Sequence, residues 1–584
     1  MKKKLIALLL ALSMLLTLIA GCGPNTSDDG NTPDIGPESS QSNQPNQSDQ
    51  PDTPEKQKID QMFPGSTFIC MEDTAAVQPY LAAAEARKAE ILNSKTEIVH
   101  SDEFIPGETY TGTAYYVSNS GSDGNDGKSP ETAWKTVLHL NEEGRFQPGD
   151  AVFFERGGVY RLEDTLYLSP YVTYSAYGEG EKPMLTRVEE NSAVADYWEL
   201  WYEDQSGKKI WKYYKELPQP GCIIFDDTSW AKLVWEWPSE EGWQTIEFAE
   251  LDPANGIQSD INPYAPFEMR GTREYPTVEE ALFEDMTFVW RTDIASLLPY
   301  PIGMHDYAYN GEIYLRCDAG NPGNLYADVE IVSGPSQGRD ILIDAWDIDG
   351  YVLDNLALKY FVCQAVVTRM DRTDIVIQNC AVKWGAATLH YIESGDVSMA
   401  WSWIADGPYG MAKNATIRNN YYLNCGNSQT FEPWSPQDSE NLRTGSLGDY
   451  IYEGNVAENC RTGAMWSYAS NDNDGMGARF HSFTVKDNYI LNTGYTYDDA
   501  IVDETAAIQL STGVQFSETI TISGNVLIGG RQGLMSLPSP QQVTMNFSDN
   551  VFIQNRDGYL AMITGLGPDE APYGALWLKF ADTQ

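Results

Sequence analysis

Acidic side chains crowd into one part of the second half of the chain. Glu432 comes first, then Asp472 and Asp474 within Ser470-Asn471-Asp472-Asn473-Asp474-Gly475, then Asp498, Asp499 and Asp503. Two carboxylates facing each other can cleave an acetal. One protonates the leaving oxygen while the other attacks or activates water, at about 5 Å separation for retention and about 6.5–9.5 Å for inversion. The expected catalytic pair is Asp472 or Asp474 against Asp498, Asp499 or Asp503, with Glu432 as a third candidate. Taken singly, each of these acids also has the composition of a solvated loop. The same hexapeptide resembles the start of a calcium loop with Asp472 and Asp474 as ligands. Its twelfth position is His481, where a bidentate Glu belongs, so the match is incomplete. Calcium is therefore the one candidate ion, and no cofactor motif is present.

Rings accompany the acids. His390, Phe431 and Trp466 fall at one phase of a repeat, with Trp434 and Tyr468 on the same expected strands. Pointing outward, they would floor a groove suited to a sugar chain. Pointing inward, they would be an ordinary core stack, and a slip of one residue exchanges the two faces. Elimination would need a Lys or Arg base beside a uronate, and basic residues are few here: Arg369, Arg372, Lys383, Arg443, Arg461, Arg479 and Arg531. A net charge of −46 also disfavours polyanionic substrates and nucleic acid. Hydrolysis thus ranks above elimination, and a non-catalytic glycan-binding surface is the third reading.

The elements that must hold these residues show as a repeat. Alternating apolar residues followed by Asn recur at Asn355, Asn379, Asn420, Asn455, Asn488, Asn525 and Asn550, at intervals of 24, 41, 35, 33, 37 and 25 residues. Alternation of period two marks strands, and recurrence every few tens of residues marks a solenoid. Each Asn is expected to take a left-handed turn conformation and to bond its equivalent one coil away. The bare coil is about 24 residues, three short strands and three turns, and the four middle coils carry the excess. Strands are expected at Gln364–Arg369 and at 388–393, 429–434, 464–469 and 534–539, with insertions at 394–414, 435–448 and 470–481 after them. A fourth insertion, 494–504, precedes its strand. Loops on both sides of one bare face make a groove.

Lys2, Lys3 and Lys4 precede an apolar run at 5–18, a secretory signal pattern. Ile19-Ala20-Gly21-Cys22 resembles a bacterial lipobox, which implies cleavage before Cys22 and its lipidation. The expected product is extracellular and lipid-anchored to the bacterial cell membrane. Residues 22–60, rich in Ser, Asn, Gln, Asp and Pro, read as a disordered tether. Residues 61–112 read as a helix, centred on Asp73 to Lys95, that caps the open end of the coils. The cysteines other than Cys22 are seven and scattered; Cys425 and Cys460, each five residues past an Asn, read as buried free thiols in a ladder.

Residues 113–189 read as the first coils. Tyr115-Tyr116-Val117-Ser118-Asn119-Ser120-Gly121-Ser122-Asp123-Gly124, Ser129-Pro130-Glu131-Thr132-Ala133-Trp134 and Pro148-Gly149-Asp150 resemble the opening of secreted right-handed parallel β-helix proteins of the pectate-lyase-like superfamily. The resemblance implies an all-β fold of three-strand coils and a carbohydrate partner, a poly- or oligosaccharide, without naming the reaction. Residues 190–335 break the rhythm with Trp198, Trp201, Trp211, Trp230, Trp235, Trp237, Trp243 and Trp290, and read as a β-rich insertion. Aromatic faces stack on sugar rings, so a carbohydrate platform is one reading, while for any single Trp a place in the core of a small β-domain is favoured. The main coils then fill 336–584. A monomer is expected, touching the membrane only through the anchor at Cys22.

Overall fold

The computed structural model describes residues 53–218, 220–233, 277–291, 310–333, 341–346, 348–361, 364–369, 372–385, 389–391, 397–399, 403–406, 412–425, 446–460, 463, 479–494, 506–510, 515–531, 533–538, 544–564 and 575–583. The protein is mostly β-sheet with few helices, and its main sheets are parallel. From Ala151 to Gln554 the described strands, apart from the insertion and the pair Leu389–Tyr391 and Val397–Met399, fall on three faces, each first-face strand being followed by one on the second face. The first face is a ten-stranded sheet from Ala114–Val117 to Thr544–Ser548. The second, also ten-stranded, runs from Val159–Arg161 to Val551–Gln554 and ends on Thr67–Cys70. The third is described in two four-stranded pieces: Leu166–Tyr167 to Trp403–Asp406, and Ala506–Gln509 to Ala575–Lys579.

Stacking of like side chains at one register makes the core. Leu353, Ile377, Ile417, Tyr452, Val485, Ile522 and Phe547 are consecutive partners across the first face, and all are buried in one continuous cluster. Each such side chain gains about 1.5–3 kcal/mol from leaving water, which favours this register over a one-residue slip.

At the corner between the first and second faces the structure divides the work that the repeat had assigned to one Asn. Asn355, Asn379, Asn419, Gly454, Asp487, Gly524 and Asp549 carry the positive φ, between 54° and 67°. The residue after each one, Leu356, Cys380, Asn420, Asn455, Asn488, Asn525 and Asn550, points inward and is buried. Asn355 and Asn379 therefore stand one position early in the series. Leu356 and Cys380 hold the ladder positions there, because strand register aligns Ala357 with Ala381 and Ala381 with Tyr421. From Asn420 onward the amides bond as expected. The backbone N–H of Asn420 donates to Asn455 Oδ1 at 2.8 Å, and Asn488 Nδ2 donates to Asn525 Oδ1 at 2.8 Å and to the Tyr452 carbonyl at 3.0 Å. Cys425 and Cys460 are free, buried thiols.

The helix expected near the start is present as Thr74–Asn93, with Asp73 capping the Ala76 N–H at 3.1 Å. It does not cap the coils. Val77, Ala84 and Ile91 pack along the second face against Ile553, Ile528, Val526, Leu491, Val456 and Tyr421. Those outward positions are apolar, so a stripe of buried residues repeating about every two turns covers them better than it would cover an end. The preceding segment goes to the far end of the stack instead: Thr67–Cys70 pairs parallel with Val551–Gln554, and Phe63 meets Phe547 and Phe552. Helix Pro54–Met62 starts inside the stretch read as tether, opened by Thr53 as N-cap and Pro54.

One expected strand is corrected. Leu389–Tyr391 folds back antiparallel on Val397–Met399, and Trp403–Asp406, inside the stretch read as loop 394–414, takes the third-face place beside Gln364–Arg369. Both segments are short and apolar, and only stacking on Val366 and Val367 selects the second. His390 is thus off the third face. Between Thr186 and Ile341 a seven-stranded, mainly antiparallel sheet forms its own core around Trp198, Trp211, Ile223, Phe288 and Leu315.

Candidate functional site

The first-face strands lengthen where the insertions arrive. Tyr351–Asp354 has 4 residues, Arg372–Gln378 and Ala412–Arg418 have 7, Ser446–Glu453 and Arg479–Lys486 have 8, Gln515–Ser523 has 9, and Thr544–Ser548 falls back to 5. Relative to Tyr351–Asp354, the added residues extend the N-terminal ends. They pair in register, Arg372 with Ala412, Ser446 with Arg479, and Arg479 with Gln515. The C-terminal parts of 394–414, 435–448 and 470–481 therefore continue the first face as a ledge beside the third. Asp374 and Asn414, at φ 63° and 61°, mark its root in two coils. Asn414 Oδ1 accepts the Asp449 N–H at 3.3 Å, and Ser482 donates to Asp449 at 2.5 Å.

Glu432, Asp472, Asp474, Asp498, Asp499 and Asp503 lie outside the described residues, as do Phe431, Trp434, Trp466, Tyr468 and Cys22. His390 is described as backbone in the hairpin above, paired with Ser398. What the structure does fix is the anchorage of 470–481, whose last residues enter the strand at Arg479. Likewise 494–504 lies between Thr493 on the second face and Ala506 on the third. Among the described residues no group of three or more His, Cys, Asp or Glu is placed to hold a metal ion.

A second constellation was not anticipated. A cleft of ≈ 1160 Å³ opens between helix Thr74–Asn93, the second face and the insertion. At its floor Lys359 and Lys383, aligned across neighbouring coils, both donate to Asp227 Oδ2, at 2.9 and 2.8 Å. Trp384 Nε1 and Tyr360 Oη donate to Asp227 Oδ1 at 2.7 and 3.2 Å. Burial opposes the charge of Asp227, but the two ammonium groups prevail and hold its carboxyl below the usual range. Beside it Glu330, fully buried, binds Arg161 in a fork at 2.6 and 2.9 Å. Burial outweighs that partner and pushes Glu330 up to about 7; burial also raises Asp328 next to it.

A carboxyl near 7 suits proton transfer. Here, however, Glu330 has no exposed surface and Asp227 is already occupied by four donors, so these groups act as a joint between insertion and coils. Two signals were present in the sequence: Asp226-Asp227-Thr228 between two strands, and Lys359 and Lys383 spaced as one bare coil.

Several known proteins resemble the chain. No protein-family model matches it. The lacto-N-biosidase of Bifidobacterium longum subsp. longum is 32% identical over 341 residues, covering 54% of this chain and 19% of that protein. The chain therefore spans about a fifth of the length of the curated relative it matches. Among solved structures, XylC in complex with xylose aligns over 78% of this chain and 67% of that one, at 13% identity and TM-score 0.39. The GH136 lacto-N-biosidase from Eubacterium ramulus aligns over 76% and 68%, at 12% identity and TM-score 0.31.

Proposed function

We propose that the protein is a glycoside hydrolase acting on a poly- or oligosaccharide laid in the groove beside the ledge. The observation that carries this reading is the 32% identity to a lacto-N-biosidase over more than half of the chain. The catalytic pair is Asp472 or Asp474 with Asp498, Asp499 or Asp503, and Glu432 stands in reserve; calcium at Asp472 and Asp474 is an accessory option. The coils form a right-handed three-faced parallel β-helix, the hand taken by nearly all parallel crossover connections. The mature protein begins at Cys22, is lipid-anchored outside the bacterial membrane and works as a monomer.

The test is release of reducing ends from a glycan panel, read beside the ultraviolet absorbance of unsaturated uronate. Asp472→Ala, Asp474→Ala and Asp499→Ala serve as variants. Removing a general acid or base should cost about 100-fold or more in at least one of them. Wild-type turnover in all three would remove the site, and unsaturated products would replace hydrolysis by elimination. Labelled palmitate incorporated by wild type and lost in Cys22→Ala would support the anchor; equal labelling would refute it.

A further inference from the structure

Within the insertion, Trp198 and Trp211 are core residues, at 3% and 9% exposure, whereas Trp201 is 40% exposed and belongs to neither buried cluster of that sheet. The backbone explains how it gets out. Strand Trp198–Glu203 pairs with Lys209–Tyr213 so that Leu200 opposes Trp211 and Tyr202 opposes Ile210, which leaves Trp201 as the extra residue of a β-bulge. A bulge costs a ladder position and re-aims one side chain, and such irregularities concentrate where that side chain has work to do.

The indole is held without being covered. Tyr314 meets it edge-on, with centroids 5.1 Å apart at 68°, and Tyr202 lies at 6.3 Å. Tyr314 is itself fixed, its hydroxyl donating to Glu312 at 2.5 Å. Lys212, directly across from both Glu199 and Tyr314, pairs with Glu312 at 2.5 Å and sits 5.6 Å from the Tyr314 ring. The result is an exposed, braced ring beside one ammonium group and two carboxylates, offering donors and acceptors together.

We propose that Trp201, with Lys212, Glu312 and Glu199 at its side, is an accessory site for a neutral oligosaccharide, separate from the hydrolytic groove. The axial C–H face of a pyranose stacks on an indole, and its hydroxyls bond to flanking charged groups. One projecting indole is far smaller than the roughly 800 Å² per partner of a stable protein interface, so a sugar fits it better than a protein does. Carboxylates at the site, on a chain of net charge −46, disfavour an anionic glycan. This site rests on the hydrolase reading only for the class of ligand.

The experiment is equilibrium binding of the full chain to an array of defined neutral and anionic oligosaccharides, read without turnover. Its outcome is thus independent of reducing-end release. Wild type should bind at least one neutral member, Trp201→Ala should lose about tenfold in affinity, and Trp201→Phe should keep most of it. Binding to none of the neutral members, binding confined to anionic ones, or an unchanged affinity in folded Trp201→Ala would each overturn the proposal. Should Trp201→Ala fail to fold, oxidation of Trp201 by N-bromosuccinimide decides: protection by the bound neutral glycan supports the site, and equal oxidation rejects it.

Discussion

Two buried polar networks hold this protein, and they are built on opposite plans. The corner between the first and second faces uses neutral amides, repeated once per coil from Asn420 to Asn550; each side chain donates to a strand carbonyl, and from Asn420 to Asn525 each backbone N–H donates to the next amide. The seam between the insertion and the second face uses charges, gathered once: Asp227 takes Lys359 and Lys383, and Glu330 takes Arg161. A neutral ladder can be lengthened one coil at a time at nearly constant cost. A charged joint cannot be repeated cheaply, because each buried ion needs its own partner. Repetition therefore belongs to the scaffold, and the charged joint orients a single attached part.

The largest effect should come from the ladder. Asn488→Ala would leave the Asn455 amide, the Tyr452 carbonyl and the Asn525 side chain short of partners in a site without water access. A loss of about 3–5 kcal/mol is expected by urea denaturation, since each orphaned buried group costs about 1–3 kcal/mol. Asp227→Ala should come next, at about 2–4 kcal/mol, because two lysines lose their counter-charge in a joint that keeps some contact with water. Its signature should be regional: hydrogen exchange should rise in the insertion while the ladder amides stay protected. Equal exchange in both regions would break the contrast.

A smaller, pH-dependent effect separates the networks further. Burial pushes the Glu330 carboxyl up to about 7 in the folded protein, against 4.5 for a solvated glutamate, so the folded state holds a proton that the unfolded chain releases between those values. The stability this contributes is fully present below 4.5 and lost as pH rises to about 7. Subtracting the Glu330→Gln curve from wild type should give a difference that falls across that window and is flat above it. Asn488→Ala should leave that difference unchanged. Least of all should be Asn492, exposed near the end of strand Tyr489–Thr493 at φ 55°. Asn492→Gly should be near neutral and Asn492→Val should cost about 1–2 kcal/mol in thermal melts.

How much of this was legible differs between the networks. The Asn series, the strands at Gln364–Arg369 and near 534–539, and the free thiols Cys425 and Cys460 were readable because each depends on local alternation or on a fixed offset from a turn. The misplacement at Asn355 and Asn379 arose where Leu356 and Cys380 replace the ladder amide, so the only Asn in view was its turn neighbour. Helix Thr74–Asn93 was readable as a helix but not as a rib along the second face, since its partners lie in five different coils. His390 was misassigned because two short apolar runs, 389–391 and 403–406, compete for one place, and only contact with the neighbouring coil selects between them.

By itself, the sequence determined what repeats: strands of period two, one corner per coil marked by an Asn, and insertions confined to the middle coils. Those features are decided by neighbours within a few residues or by one coil length, and a linear text carries both. Tertiary structure alone decided what is single. Asp227 meets Lys359 and Lys383 across 132 and 156 residues, and Glu330 meets Arg161 across 169. A bulge turns Trp201 outward while Trp198 and Trp211 turn in. A charge is paired, or a ring exposed, only by what packs against it: the one-coil spacing of Lys359 and Lys383 aligns the two lysines, and nothing in it selects Asp227 as their partner.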